Sequence, residues 1–131
     1  MSSVFSKIIA GEIPCFKIAE DELFFAFLDI EPLRRGHVLV VPKKEVDKVY
    51  EADDEYLQNW FLFAQPIARA IEQSIECKRV GISFIGLEVP HAHMHLVPIS
   101  TANDLNFTQK PEKPGMDELK EVQALILSKL V

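Results

Sequence analysis

The chain has 131 residues, 48% of them hydrophobic and 26% charged, enough for one globular domain with a buried core. Its formal net charge of −6 excludes a face built for long nucleic-acid polymers, whose phosphates select basic surfaces, and leaves room for a small phosphate ester in a local pocket. Cys15 and Cys77 make neither a disulfide framework nor a CxxC pair, no apolar run reaches membrane-spanning length, and "MSSVFSKIIAGEIP" is not a secretory start, so a reducing, cytoplasmic setting without a membrane partner is predicted.

In chain order, Ser6 to Ala10 reads as a short helix before the Gly11–Pro14 breaker. The runs "FKIA", "ELFFAFLDI" and "HVLVVP" are β-rich and separated by turn chemistry, which predicts an antiparallel meander. From Asp53 the period changes to three and four at Leu57, Phe61, Ala64, Ala68, Ile71 and Ile75, behind Asp53 and Asp54, which suit a helix start. That predicts a helix of about two dozen residues. Pro66 inside it is expected to bend the helix or split it in two. "RVGISFIG" and "HAHMHLVPI" read as two further strands, and Met116, Leu119, Val122, Ile126 and Leu130 mark a final amphipathic helix.

His91, His93 and His95 occupy alternate positions in a chain with four histidines. On a strand they share one face, while Ala92, Met94, Leu96 and Pro98 form an apolar face suited to packing on a helix. Three readings compete: a solvated strand face, a metal site, and a nucleophilic imidazole supported by its neighbours. A strand places the Cα atoms of His91 and His95 roughly 13 Å apart, beyond easy convergence of all three rings on one ion. A nucleophile needs adjacent rings, which this spacing provides.

"HAHMHLV" resembles the signature of the histidine-triad (HIT) family of nucleotide hydrolases and transferases. "SVFSKIIAGEIPCFKIAEDELFFAFLDIEPLRRGHVLVVPKK" resembles the family's N-terminal half, so the likeness runs over residues 3 to 99. It implies an α+β, HIT-like fold in a single domain over 1–131: an antiparallel sheet of about five strands with one long helix packed on it, a short N-terminal helix and a C-terminal helix. Residues 100–131 would supply a loop and that last helix. It also implies a twofold homodimer, for which Trp60, Phe61 and Phe63 offer apolar surface on more than one side of the long helix.

The resemblance assigns His93 as nucleophile toward the α-phosphorus of a nucleotide, with His91 and His95 as orienting and donor groups and His37 beside them. Asp29 matches the acid that accepts from both ribose hydroxyls. Val4, Phe5, Ile8, Phe27 and Ile30 match positions lining a purine cleft. Departures also count. Where many relatives place a zinc-holding Cys-x-x-Cys this chain has Ser3 and Ser6, so no metal and no cofactor are expected. Before the triad it has Leu87 and Glu88 where a Gln and a hydroxyl are usual; a carboxylate there repels phosphate unless protonated or turned away, or helps protonate an amine leaving group. The implied function is hydrolysis of purine nucleoside phosphoramidates through a nucleotidyl-histidine. The alternatives are a dinucleoside polyphosphate hydrolase and a nucleotide-binding scaffold.

Overall fold

Alternation along three strands builds a sheet that is buried on both faces. The computed structural model describes residues 3–109 and 113–130. In β2 (Phe24–Leu28), β3 (Val38–Pro42) and β5 (Met94–Ile99), Phe24, Ala26, Leu28, Val38, Val40, Met94 and Leu96 point to one side. There they meet Trp60, Ala64, Ile67 and Ile71 of helix α2 (Asp54–Ser74) and Leu119, Val122 and Ile126 of α3 (Met116–Lys129). Phe25, Phe27, Leu39 and Val41 face the opposite way and pack with Phe5 of α1 (Val4–Ile9). Each large side chain so buried contributes about 1.5–3 kcal/mol relative to exposure.

With β1 (Lys17–Glu20) and β4 (Arg79–Ser83), the five strands form an antiparallel sheet in the order β1-β2-β3-β5-β4. The fold is α+β: β1 to β3 are the predicted meander, and β5 inserts between β3 and β4 after the α2 crossover. Asp53 caps α2 by accepting from the Tyr56 amide, while Asp54 and Glu55 favour its positive end. Among the described residues no helix is long and apolar enough to cross a membrane.

Two expectations need correction. α2 runs unbroken for 21 residues through Pro66, so of the bend or split expected there the split does not occur. Pro66 and Leu62, whose carbonyl loses its amide partner, both lie on the exposed side, where water replaces the missing bond. The triad segment is also not all strand. β5 begins at Met94, and its pairing with β3 stops at Val40 opposite Met94, so His91 and His93 precede the ladder. β4 likewise ends at Ser83, before Phe84, Ile85 and Gly86. The apolar partner face holds as read, since Ala92, Met94 and Leu96 all enter the main core.

Candidate active site

Gly36 turns the chain into β3 with φ of +98°, a left-handed conformation that glycine adopts without strain, and so sets His37 at the strand's mouth. His37 is 2% exposed, and the Leu33 amide donates to its Nδ1 at 3.0 Å. An amide can only donate, so His37 keeps its proton on Nε2. That nitrogen lies 3.0 Å from Nδ1 of His95, which therefore accepts, and the His95 proton falls on Nε2. Among the described residues His95 Nε2 has no partner, yet no buried side-chain nitrogen or oxygen is unsatisfied, so this N–H opens toward solvent. A backbone amide thus fixes, through two rings, a donor aimed out of the sheet.

His93 obeys the same logic in reverse. Its Nδ1 lies 2.8 Å from the carbonyl oxygen of His91, so Nδ1 carries the proton and Nε2 carries the lone pair. The His93 and His95 rings are 4.8 Å apart, and Phe5 lies 4.8 Å from His93 on another side. Burial lowers the His93 pKa below its ordinary 6.5, with the bond to the His91 carbonyl acting in the opposite sense and His91 adding to the depression. Burial, with the His93 ring nearby, takes His37 down to about 3; burial followed by His37 and His93 takes His95 to about 3. All three rings are neutral near pH 7. The site therefore joins a neutral nucleophilic nitrogen to a neighbouring N–H, the pair needed to attack phosphorus and to hold charge building on its oxygens.

His91 is fully buried and sits behind this pair rather than in it. Its Nε2 donates to the Pro42 carbonyl at 2.8 Å, just where β3 has lost its β5 partner. Asp29 directly follows β2 and lies beside His37, with Oδ2 3.7 Å from His37 Nε2 and Oδ1 accepting from the Glu31 amide at 2.9 Å. Burial raises its carboxyl to about 6, against the pull of the Glu31 amide, and the Glu31 charge raises it further. With 23% of its side chain open, it remains reachable from the cleft.

Asp29, His37 and His95 bring three potential metal-ligating atoms, one from each, within 4.8 Å of one another. Their hydrogen bonds do not suit an ion. His37 Nε2 bears the proton as long as the Leu33 amide faces Nδ1, so offering its lone pair would set two N–H groups against each other. Ser3 and Ser6 spend their hydroxyls on His91 and Glu45.

Of the residues matched to a base cleft, Phe5 and Phe27 lie with ring centroids 5.9 Å apart and planes tilted by 52°, with Ile8 packed against their cluster. Val4 and Ile30 are 43% and 60% exposed, so they form rim rather than wall. Glu88 is exposed in the loop between β4 and β5, and no hydrogen bond joins it to the histidines among the described residues. Two participants escaped the sequence reading. Phe107 sets its ring edge-on to His95 at 4.6 Å, brought there by Arg34, which holds Asp104 and Gln109. Ser3 meets His91 across 88 positions. No periodicity signals either contact.

A five-stranded antiparallel sheet carrying these imidazoles defines a histidine-triad domain. Comparison with known proteins agrees. The family model described as HIT domain matches residues 10–102. Protein hit of Bacillus subtilis is 42% identical over 102 residues, covering 72% of this chain and 69% of that protein. The adenosine 5′-monophosphoramidase of Saccharomyces cerevisiae is 32% identical over 133 residues, covering 97% and 82% respectively. A crystal structure of a Hit-like protein from Bartonella henselae has a TM-score of 0.84 at 28% identity, over 98% of this chain and 97% of that one. The chain belongs to the HIT family.

Proposed function

We propose that this protein is a nucleotide hydrolase and nucleotidyl transferase that cleaves purine nucleoside phosphoramidates by way of a nucleotidyl-His93 intermediate. The observation that supports this reading is the fixed proton order, with the lone pair on His93 Nε2 and an N–H on His95 Nε2 beside it. In the first step Nε2 bonds to the α-phosphorus while the P–N bond breaks and its electrons leave with the amine, which takes up a proton from solvent. The imidazole then carries a positive charge, shared with the His91 carbonyl through Nδ1–H. In the second step water attacks phosphorus and releases a proton to solvent, the N–P bond returns its electrons to Nε2, and the nucleoside monophosphate leaves. Asp29 receives the two ribose hydroxyls, and the purine lies against Phe5, Phe27 and Ile8. The chemistry uses no cofactor or metal, and the nucleotide is bound as a monomer unit rather than as part of a polymer. The yeast relative's activity on an adenosine phosphoramidate supports the choice of substrate.

The exposure of Glu88 favours a second reading. With the candidate proton donor exposed and making no hydrogen bond to the histidines among the described residues, a dinucleoside polyphosphate, whose phosphate leaving group departs without protonation, suits the same nucleophile. The test is covalent: incubate with adenosine 5′-phosphoramidate or diadenosine polyphosphate, quench in base, and weigh the protein. A nucleotidyl adduct at His93, full activity in EDTA, and a loss of several powers of ten in His93→Ala are expected. A protein that binds AMP but forms no adduct would be a scaffold instead.

A further inference from the structure

His91 is fully buried, and both of its ring nitrogens need partners. Nε2 has the Pro42 carbonyl; Nδ1 lies 2.5 Å from Ser3 Oγ, and since a neutral ring protonated at Nε2 has a bare Nδ1, the Ser3 hydroxyl donates to it. The same Ser3 oxygen accepts the Ser6 amide at 3.0 Å and caps α1. The Ser6 hydroxyl donates to Glu45 Oε2 at 2.8 Å, and that carboxylate oxygen also receives the Ser3 amide at 3.4 Å. An exposed carboxylate in the loop after β3 is thus tied, through two serines at the chain's start, to an imidazole inside the site.

We propose that Ser3, Ser6 and Glu45 are positioning residues for the nucleophile: they hold His91 in one ring orientation and tautomer, and through the His91 carbonyl they hold His93 with its lone pair on Nε2. The inference rests on His93 being the nucleophile. The physical need arises because residues 91–93 lie outside β5 and lack its ladder. Among the described residues, the hydrogen bonds that tie this segment to the rest of the chain are the Ala92 amide to the Val46 carbonyl at 2.6 Å and the two bonds of the His91 ring. Deleting the Ser3 hydroxyl orphans Nδ1 in a buried place, and the ring can find that nitrogen another partner only by turning away from the Pro42 carbonyl that fixes its tautomer. That response shifts the carbonyl that faces His93 Nδ1. Glu45 acts one link further out, clamping the first turn of α1, which also carries Phe5 against His93.

The test combines imidazole ¹⁵N spectra with steady-state kinetics on adenosine 5′-phosphoramidate. The parent should show His91 protonated at Nε2 and His93 at Nδ1. Ser3→Gly, which keeps most of the capping preference, should mix the His91 tautomers and lower kcat about tenfold with KM nearly unchanged. Glu45→Ala should act in the same direction more weakly, while Ser3→Thr and Glu45→Gln, which retain the hydroxyl and the acceptor, should restore the parent spectra and rate. A Ser3→Gly protein with parent spectra at both rings overturns the proposal, as does a variant that loses thermal stability alone. Failure of the functional reading looks different: no turnover in the parent, while its ¹⁵N pattern still responds to Ser3→Gly.

Discussion

A carbonyl oxygen has no proton to give, so the two that face imidazoles here, from His91 and Pro42, decide which nitrogens of His93 and His91 are protonated. The Leu33 amide decides the other two rings. Holding neutral imidazoles in a dry place has a measurable consequence. His37 and His95 sit at about 3 when folded and at 6.5 when unfolded, so below pH 6.5 the unfolded chain binds protons that the folded one refuses. Their stabilising effect is present above 6.5 and is lost as pH falls toward 3. Asp29 works the other way: raised from 3.8 to about 6, it favours the fold below 3.8 and loses that contribution as pH rises through 6. Two buried rings outweigh one partly exposed carboxyl. The midpoint of urea unfolding should fall between pH 7 and pH 4, and less steeply in His37→Gln; an unchanged slope in that variant would refute the assignment.

Elements deliver these side chains, and the turn before β3 is where delivery is most exposed to damage. A Cβ on Gly36 would stand 2.8 Å from Cγ1 of Ile75 and would also occupy a left-handed backbone. Gly36→Ala should therefore cost about 1–3 kcal/mol in chemical denaturation, and because His37 is the next residue it should lower kcat as well. A neutral effect on both would mean that the turn relaxes without moving the ring. The elements were legible in the sequence because β2 and β3 are apolar, β-rich runs separated by turn residues, and α2 and α3 carry their apolar residues at steps of three and four. Strand ends were not, since β5 begins where its pairing with β3 begins, and pairing is a property of two distant segments. The four histidines and Asp29 were legible through the resemblance, and His91, His93 and His95 also through their alternate spacing. Phe107, Ser3 and Glu45 were not. Their contacts depend on how the loop after β5 and the start of α1 fold back on the sheet.

At the scale of the molecule the two sheet edges differ in chemistry. Edge β1 is guarded by charge: Glu20 pairs with Lys17 at 3.2 Å and with Lys43 at 2.8 Å, the usual protection against strand addition. Edge β4 carries no such pair among the described residues. Around it lie exposed apolar side chains, Ile82 at 47%, Ile85 at 45% and Leu87 at 89%, and beside it on α2 Phe61 at 48% and Leu62 at 64%. Trp60 is spent in the core and Phe63 packs on Phe24, so of the three aromatics singled out in the sequence Phe61 alone is available to a partner. We infer that a second copy covers this face by a twofold contact, in which β4 and α2 of each chain meet their counterparts. With a net charge of −6 on each copy, long-range repulsion opposes the pairing, so apolar contact has to drive it and added salt should strengthen it. Ile82→Lys places a charge on the open edge and should shift the mass seen by light scattering from dimer to monomer while the circular dichroism stays native. A parent protein that scatters as a monomer at every concentration and salt would sink the assignment.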